Sequence, residues 1–264
     1  MNVALTIAGS DSGGGAGIQA DLKTFHQFGV FGTSAIVVVT AQNTVGVDAV
    51  HNIPASMVDA QIAAVAKDLK PSACKTGMLA TEELVIQVAE AVESYSLPNC
   101  VVDPVMVATS GDRLLDEGAV VAIKERLLPL SCLITPNIPE ARILTDMEIT
   151  TVDDMILAAE NLVSLGAGAV LIKGGHLTDA VVTDVLRVGS RTHLFENVRI
   201  DTRSTHGTGC TLSAAVTAGL ATGKNLQDSV AQGLDFVHRA IESAPGLGSG
   251  NGPLNHFTHA TRND

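Results

Sequence analysis

Short apolar runs recur along the chain, and glycine, proline or polar residues bound each of them. Runs of this kind are typical of strands that are buried on both faces, as in a parallel sheet. The runs that fit this description are Val3–Ala8, Thr33–Thr40, Ala73–Thr76, Cys100–Val102, Leu133–Asn137 and Ala169–Lys173. Two further runs, Val181–Val188 and His193–Ile200, are joined by a Gly189-Ser190 turn, which predicts an antiparallel pair.

Segments with apolar residues three or four positions apart alternate with these runs and predict helices that bury one face. They are Ile18–Phe28, Ala55–Leu69, Thr81–Tyr95, Glu117–Leu128, a helix beginning at Ile138, Val152–Leu165, the alanine-rich run Leu212–Thr222, and Leu226–Ala244. The alternation predicts a doubly wound, mostly parallel sheet with helices on both faces and a small antiparallel strand pair near residues 181–200. No linker or repeat divides the sequence, so we expect one α/β domain over residues 1–264.

The charge and the cysteine content of the chain limit the kinds of partner and the cellular location that we expect for it. With 16 Lys+Arg against 28 Asp+Glu the formal net charge is −12, and there is no tryptophan, so we expect no nucleic-acid partner. No apolar run approaches the roughly 18 residues that span a membrane, and Met1–Ala8 lacks the basic start of a signal peptide. The four cysteines are dispersed without a CxxC pair, which indicates reduced thiols, no zinc site and a cytoplasmic location.

A glycine-rich turn over Ser204–Thr211 carries the clearest chemical signal. Gly207 and Gly209 let the backbone approach a ligand, and the free N–H groups at the start of the following helix favour phosphate. Cys210 lies at this point, where a thiol is expected to have a pKa below its free value of about 8.5. The residues alone leave a second interpretation open, a glycine-rich connection followed by a buried cysteine.

A second glycine-rich turn, residues 9–17, lies between the first strand and the first helix. Its spacing matches neither GxGxxG nor GxxxxGK[ST], so neither a dinucleotide fingerprint nor a Walker loop is supported. The turn is either a tight connection or a place where the backbone approaches a small ligand.

Polar residues follow several of the predicted strands, at the edge where open α/β sheets bind ligands. Gln42 follows the second strand, and Lys173 follows four apolar residues, which is unusual for a lysine without a partner. A simpler interpretation remains for each: Gln42 as a solvated loop residue and Lys173 as a surface lysine. Glu140 follows the predicted strand Leu133–Asn137, at the start of a predicted helix, and could be an ordinary acid in the first turn of that helix.

Together, three motifs resemble the ribokinase-like superfamily of small-molecule kinases, and within it the hydroxymethylpyrimidine/phosphomethylpyrimidine kinases of thiamine biosynthesis. The motifs are Ala8–Thr24, Thr135–Ala141, and Lys173–His176 with His206–Thr211. The resemblance covers nearly the full chain and implies a ribokinase-like fold, ATP and Mg²⁺ as cofactors, and a homodimer. It also implies two phosphoryl transfers, first to 4-amino-5-hydroxymethyl-2-methylpyrimidine and then to its monophosphate.

The same resemblance implies roles for individual residues. The residues implied in catalysis are Cys210 as the base, Lys173, and the anion-binding turn Gly207, Thr208 and Gly209. Those implied in ATP binding are Lys173, His206, Gly207 and Gly209, and those implied in Mg²⁺ binding are Asp103 and Glu140. The pyrimidine is expected to contact Gln42, Gly9, Asp21, Met78 and Val105. The chemistry fits at Gln42, whose amide can accept from an exocyclic amine and donate to the neighbouring ring nitrogen.

Other functions remain as alternatives. A pyridoxal kinase of the same lineage would share the phosphoryl-transfer site and differ in the ring pocket, so Gln42 discriminates between the two. Pyridoxal kinases carry a further Asp shortly after the Asp-Pro pair, where this chain has Val107-Ala108, so their metal geometry cannot be transferred. A catalytically inactive binding protein on this fold is disfavoured by the joint presence of Lys173, Glu140 and Cys210.

Overall fold

One sheet of nine strands runs through the part of the chain that the computed structural model describes, residues 1–106, 115–178 and 180–260. The strands are β1 (Val3–Asp11), β2 (Phe31–Gln42), β3 (Val47–Asn52), β4 (Ala73–Thr76), β5 (Cys100–Val102), β6 (Leu133–Ile134), β7 (Ala169–Ile172), β8 (Val181–Val188) and β9 (Arg191–Val198). Their order is β3-β2-β1-β4-β5-β6-β7-β8-β9. The six strands from β2 to β7 in this order are parallel, while β3, β8 and β9 pair antiparallel with their neighbours.

Helices cover both faces of the sheet. They are α1 (Gly17–Gln27), α2 (Ala55–Asp68), α3 (Glu82–Ser94), α4 (Glu117–Ala122), α5 (Ile138–Thr145), α6 (Val152–Ser164), α7 (Thr208–Ala221) and α8 (Leu226–Glu242). On one face α7 packs between α1 and α8. On the other face α2 packs against α3, α3 against α4, and α5 against α6. Among the described helices, none combines the length and the apolar composition needed to cross a bilayer.

Helix α7 is the most deeply buried helix on its face, because small residues line it almost all round. Ala214 and Ala218 pack against Phe25 of α1, and Leu212 and Val216 pack against Val230 of α8 and the sheet. A helix that is apolar on all sides belongs in a protein interior. This burial fixes the N-terminus of α7 against the ends of the central strands.

The structure confirms the predicted doubly wound sheet and the antiparallel pair, and it corrects several boundaries. The predicted strand His193–Ile200 is β9 at Arg191–Val198, and the predicted helix Glu117–Leu128 ends as α4 at Ala122, followed by a π turn and a 3₁₀ turn. The pattern did not reveal β3, because five of its six residues are exposed. Most of the loop expected between Val105 and Leu115, including Val107-Ala108, lies outside the described residues.

The sequence predicted that Cys74, Cys100 and Cys132 are core residues, and the structure buries two of these three fully. All four are free thiols. Cys74 of β4 and Cys100 of β5 are buried and face each other across the two strands, whereas Cys132 is partly exposed. A hydrogen bond with Cys100 and burial raise the pKa of Cys74, and burial raises the pKa of Cys132 to about 12, so these two thiols are protonated.

Candidate active site

The candidate site lies where the central strands end and helices α5 and α7 begin. Each residue just past a strand continues the parallel ladder by one hydrogen bond: the N–H of Asp103 donates to Thr76, that of Thr135 to Val102, and that of Lys173 to Pro136. These bonds align the ends of β4 to β7 at one edge of the sheet. Polar side chains that follow different strands therefore meet there, as expected for an open α/β sheet.

Lys173 lies at the centre of this cluster. Its Nζ is 3.1 Å from Oδ1 of Asp103 and 3.9 Å from Oε2 of Glu140, and its side chain is 15% exposed. Burial opposes the charge of the ammonium group, but Asp103 and Glu140 outweigh this and raise the pKa of Lys173. The structure therefore contradicts a surface role for this lysine and brings together three of the predicted site residues.

Asp103 is held rigidly and is almost fully buried. Besides Lys173, its carboxylate accepts hydrogen bonds from the Thr135 hydroxyl at 3.3 Å and from the Ser213 hydroxyl of α7 at 3.4 Å. These contacts tie the end of β5 to helix α7. The carboxylate is thereby fixed beside the glycine turn that begins α7.

Glu140 closes the N-terminus of α5. Its Oε2 accepts from the N–H of Asn137 at 2.7 Å, and the Asn137 side chain accepts from the N–H of Glu140 at 2.9 Å, which forms a capping box. Burial raises the pKa of Glu140 to about 7, while Lys173 pulls it down and Asp103 pushes it up. This carboxyl group can therefore change its protonation state near neutral pH.

The turn before α7 has the shape that an anion-binding site requires. Gly207 has φ +83°, and a Cβ there would overlap the carbonyl oxygen of Gly15. Any other residue at this position would push the two glycine-rich turns apart. A Cβ on Gly209 would lie 3.1 Å from Nζ of Lys173, so the first turn of α7 faces the lysine directly. No side chain caps this helix. The N–H of Thr208 donates to the carbonyl of Thr205, which leaves the N–H groups of Gly209 and Cys210 available to an anion.

Cys210 lies in this first turn, but its environment is not the one expected. Burial raises its pKa to about 12; Lys75 lowers it, and the carboxylates of Asp21 and Asp103 raise it further. The expectation of a lowered pKa is therefore wrong. The helix N-terminus favours a thiolate, but the loss of water and two nearby carboxylates outweigh it.

A buried ion pair that the sequence did not reveal lies beneath Cys210. Lys75 and Asp21 are both fully buried, with 2.9 Å between Nζ and Oδ1, and the Thr6 hydroxyl donates to the other oxygen of Asp21 at 2.6 Å. Asp21 is thus not a solvated helix residue. Both of its oxygens have protein partners, and its expected contact with the pyrimidine stays a prediction.

Gln42 and His206 meet on the side of the site formed by the glycine-rich turn between β1 and α1; β1 extends to Asp11, so this turn is shorter than the predicted residues 9–17. Nε2 of Gln42 lies 3.4 Å from Nε2 of His206, and the same His206 atom lies 2.9 Å from Oδ2 of Asp11. The N–H of His206 donates to the carbonyl of Gly252. Both the ring and the backbone of His206 therefore have partners away from Lys173, and its expected contact with ATP stays a prediction.

The remaining predicted pocket residues line the ends of β1, β4 and β5. The sulfur of Met78 is 3.8 Å from the place where a Cβ on Gly9 would be, and that Cβ would collide with Val38. Val105 follows Asp103 and is half-buried, with its N–H donating to the Asp103 carbonyl. Gly9 and Met78 are neighbours, as a shared pocket requires.

Sequence reasoning missed Lys75 and Asp11, although each carried a signal. Lys75 lies inside the fully buried strand Ala73–Thr76, and the argument that singled out Lys173 after an apolar run applies to it equally. Asp11 ends the first strand inside a glycine-rich turn. Its carboxylate accepts from the N–H groups of Gly13, Gly15 and Ala16, and so shapes that turn.

Comparison with known proteins places this geometry in a family. Residues 11–255 match the family model described as phosphomethylpyrimidine kinase. A hydroxymethylpyrimidine/phosphomethylpyrimidine kinase of Bacillus subtilis is 51% identical over 255 residues, which cover 96% of this chain and 94% of that protein.

Solved structures of vitamin kinases share the fold of this chain. A phosphomethylpyrimidine kinase from Clostridium difficile is 41% identical with a TM-score of 0.82, covering 91% of this chain and all of that one. The ADP complex of a Bacillus subtilis pyridoxal kinase is also 41% identical, with a TM-score of 0.92 over 98% of both chains.

Proposed function

This chain belongs to the phosphomethylpyrimidine kinase family, and from that membership we propose that it phosphorylates 4-amino-5-hydroxymethyl-2-methylpyrimidine and then its monophosphate in thiamine biosynthesis. Relatives that carry this activity in their names are about half identical to it over nearly the whole chain. Within the structure, the observation that supports the proposal is the convergence of Lys173, Asp103 and the first turn of α7. Cation, carboxylate and free backbone N–H groups together suit phosphoryl transfer.

We assign the phosphoryl group that moves to the first turn of α7 and Lys173. Charge spreads over its equatorial oxygens in the transition state, so fixed N–H donors and an ammonium group stabilise that state more than the ground state. Lys173 keeps its proton, because the neighbouring carboxylates raise its pKa. Gly207 and Gly209 allow the phosphoryl group to approach the backbone itself.

ATP is the proposed phosphoryl donor, and Asp103 and Glu140 fit Mg²⁺. No group of three or more metal-binding side chains occurs in the described part of the chain. That suits Mg²⁺, which takes one or two carboxylates and completes its coordination with water and phosphate oxygens. When bound, the ion would neutralise charge on the nucleotide phosphates. Glu140 must be ionised for this role, which its pKa of about 7 allows.

The two transfers make different demands on Cys210. A neutral hydroxymethyl group must lose a proton, and we keep Cys210 as the proposed acceptor for that first transfer. The monophosphate already carries close to two negative charges, with a second pKa of about 6, and needs no base. Because the thiol has a pKa of about 12, only a very small thiolate fraction is available near pH 7.

Pyridoxal phosphorylation is the second candidate, and one observation favours it. The Bacillus subtilis pyridoxal kinase superposes with a TM-score of 0.92 over 98% of both chains. Its identity of 41% is lower than the 51% of the Bacillus subtilis hydroxymethylpyrimidine/phosphomethylpyrimidine kinase. A homodimer and a cytoplasmic location remain proposals, the first from the family resemblance and the second from the free cysteines.

Direct product analysis tests the proposed function. The protein is incubated with ATP, Mg²⁺ and the pyrimidine alcohol, and the products are identified by mass spectrometry over time. We expect the monophosphate first and the diphosphate later, with the diphosphate formed at once when the monophosphate is supplied. Lys173→Ala serves as the inactive control. Absence of both phosphates under conditions in which pyridoxal is phosphorylated would replace the first candidate with the second.

A further inference from the structure

The His206 ring is fixed by a carboxylate that can only accept hydrogen bonds. Asp11 is 3% exposed and accepts from three backbone N–H groups as well as from Nε2 of His206 at 2.9 Å. Hydrogen bonds from His206, Ala16 and Gly13 outweigh burial and lower the pKa of Asp11, so it is ionised. An ionised carboxylate needs a donor, and therefore Nε2 of His206 carries a proton.

The neighbouring Gln42 amide lies between this N–H and a hydroxyl group. One end of the amide is 3.4 Å from Nε2 of His206, and the other end is 3.1 Å from Oγ1 of Thr40. Thr40 also lies 3.0 Å from the carbonyl oxygen of Ser10, which can only accept. A hydroxyl has one proton, so Thr40 gives it to Ser10 and presents a lone pair to Gln42.

These two neighbours select one orientation of the amide. His206 offers a proton and needs an oxygen opposite it, while Thr40 offers a lone pair and needs an N–H. The ends of a glutamine amide are assigned from such partners, and half a turn about the last bond exchanges them. Complementary pairing at both ends requires the oxygen to face His206 and the nitrogen to face Thr40.

The selected orientation leaves one lone pair and one N–H of Gln42 for a ligand, in a fixed order. A ring with an amino group beside an unprotonated ring nitrogen presents the matching donor and acceptor. The reversed amide would meet the same edge with donor facing donor. His206 also directly precedes Gly207, so the group that orients Gln42 is linked to the turn that holds the phosphoryl group.

We propose that His206, with its protonated Nε2 held by Asp11, is a positioning residue that orients the Gln42 amide and thereby helps to determine ring specificity. The inference rests on the proposed function, because it requires Gln42 to contact the ring of the substrate. It gives His206 a role on the substrate side, in place of the contact with ATP that the family resemblance implied.

A double-mutant cycle tests whether His206 acts through Gln42. The variants are His206→Met, Gln42→Leu and the double variant, and kcat and KM are measured for the pyrimidine, pyridoxal and ATP. We expect His206→Met to raise KM for the pyrimidine at least about tenfold, because a tenfold change corresponds to the loss of one buried hydrogen bond. The changes in kcat and in KM for ATP should be smaller. In the Gln42→Leu background the same change should alter KM less than about twofold.

His206→Gln is the conservative control, because its side-chain N–H can replace the donor at Nε2. We expect it to restore most of the pyrimidine affinity. Additive effects in the cycle, no recovery with glutamine, or a rise confined to KM for ATP would each overturn the inference. If His206→Met is unfolded by circular dichroism, His206→Asn, whose shorter side chain cannot place its N–H at the position of Nε2, replaces it in the cycle. If the wild type accepts only pyridoxal, the proposed function fails, and the cycle run on pyridoxal still decides the role of His206.

Discussion

Lys75 and Asp21 form an ion pair inside the protein, with 2.9 Å between Nζ and Oδ1 and no exposure of either side chain. The pair connects strand β4 to helix α1, close enough to Cys210 to influence the pKa of its thiol. Taking two charges out of water is costly, and the attraction between them offsets that cost only while both are present. Burial opposes the charge of Lys75, but the carboxylates of Asp21 and Asp103 outweigh it and raise the pKa of Lys75, so it stays protonated.

Removing one member of this pair should destabilise the fold more than removing both charges. Lys75→Met leaves the Asp21 carboxylate buried without a cation, and we expect a loss of roughly 3–5 kcal/mol in the free energy of unfolding. The double variant Lys75→Met with Asp21→Asn should be more stable than Lys75→Met alone. Urea unfolding followed by circular dichroism measures both. A double variant that is no more stable would show that the packing of Lys75, and not its charge, dominates.

The sequence could predict the sheet of this protein but not the ion pair between Lys75 and Asp21. The alternation of apolar runs and helical segments predicted the parallel sheet, because burial on both faces leaves a continuous apolar pattern. Strand β3 escaped that argument, since its exposed residues carry no apolar periodicity. The partner of Lys75 was also hidden, because Asp21 is 54 positions away in the sequence and only the folded chain brings them together.

The candidate site was predicted unevenly, for physical reasons. Motif order identified Lys173, Glu140 and the Gly207 turn, and the structure brings them together. The pKa of Cys210 was predicted with the wrong sign, because a local argument from the helix N-terminus could not include burial or distant carboxylates. The contact between His206 and Asp11 spans 195 positions and leaves no local pattern.

Substitution of Cys210 should separate the two phosphoryl transfers. Cys210→Ala removes the proposed proton acceptor but keeps the backbone N–H of this position. We expect the first transfer to slow by at most about 10²–10⁴-fold, the usual contribution of a positioned base, and the second transfer to slow much less. The two steps are measured separately, with the monophosphate supplied directly for the second. Equal losses in both steps would mean that Cys210 shapes the turn and does not accept the proton.

The pKa of Cys210 adds a dependence on pH to that prediction. At pH 7 the thiol is almost entirely protonated, and the thiolate fraction rises about tenfold per pH unit until the pKa of about 12 is approached. The difference in the first-step rate between wild type and Cys210→Ala should therefore widen from pH 7 to pH 9. The second step is the internal control and should show no such widening. Parallel pH profiles for the two proteins would exclude Cys210 as the base.

Lys173→Ala should reduce turnover more than ATP affinity. The ammonium group faces oxygens whose charge changes during transfer, so its loss should lower kcat by about 10²–10³-fold, with a smaller effect on KM for ATP. Lys67→Ala, an exposed lysine on α2, is the matched control and should retain wild-type kinetics. Steady-state kinetics at saturating pyrimidine measure both variants. A Lys173→Ala protein with normal kcat would remove this lysine from the mechanism.

The Mg²⁺ concentration needed for half-maximal activity should depend on whether Glu140 is protonated. Its pKa of about 7 is raised, so the carboxyl is neutral below pH 7 and must lose a proton before it can bind a cation. We expect the Mg²⁺ concentration for half-maximal activity to rise as pH falls from 8 to 6, by up to about tenfold per unit below the pKa. Glu140→Gln should need more Mg²⁺ at all pH values and lose this slope. A wild-type slope that persists in Glu140→Gln would assign the titration to another group.

Competition between two ring substrates tests the central claim most directly. Equal concentrations of the pyrimidine alcohol and pyridoxal are incubated with limiting ATP and Mg²⁺, and the ratio of their phosphorylated products gives the ratio of the two kcat/KM values. For the wild type we expect pyrimidine phosphates to dominate. For Gln42→Leu, which removes two hydrogen bonds to the ring, each worth roughly 1–3 kcal/mol, that preference should collapse. A wild-type preference for pyridoxal, or a pyrimidine preference unchanged in Gln42→Leu, would contradict the account.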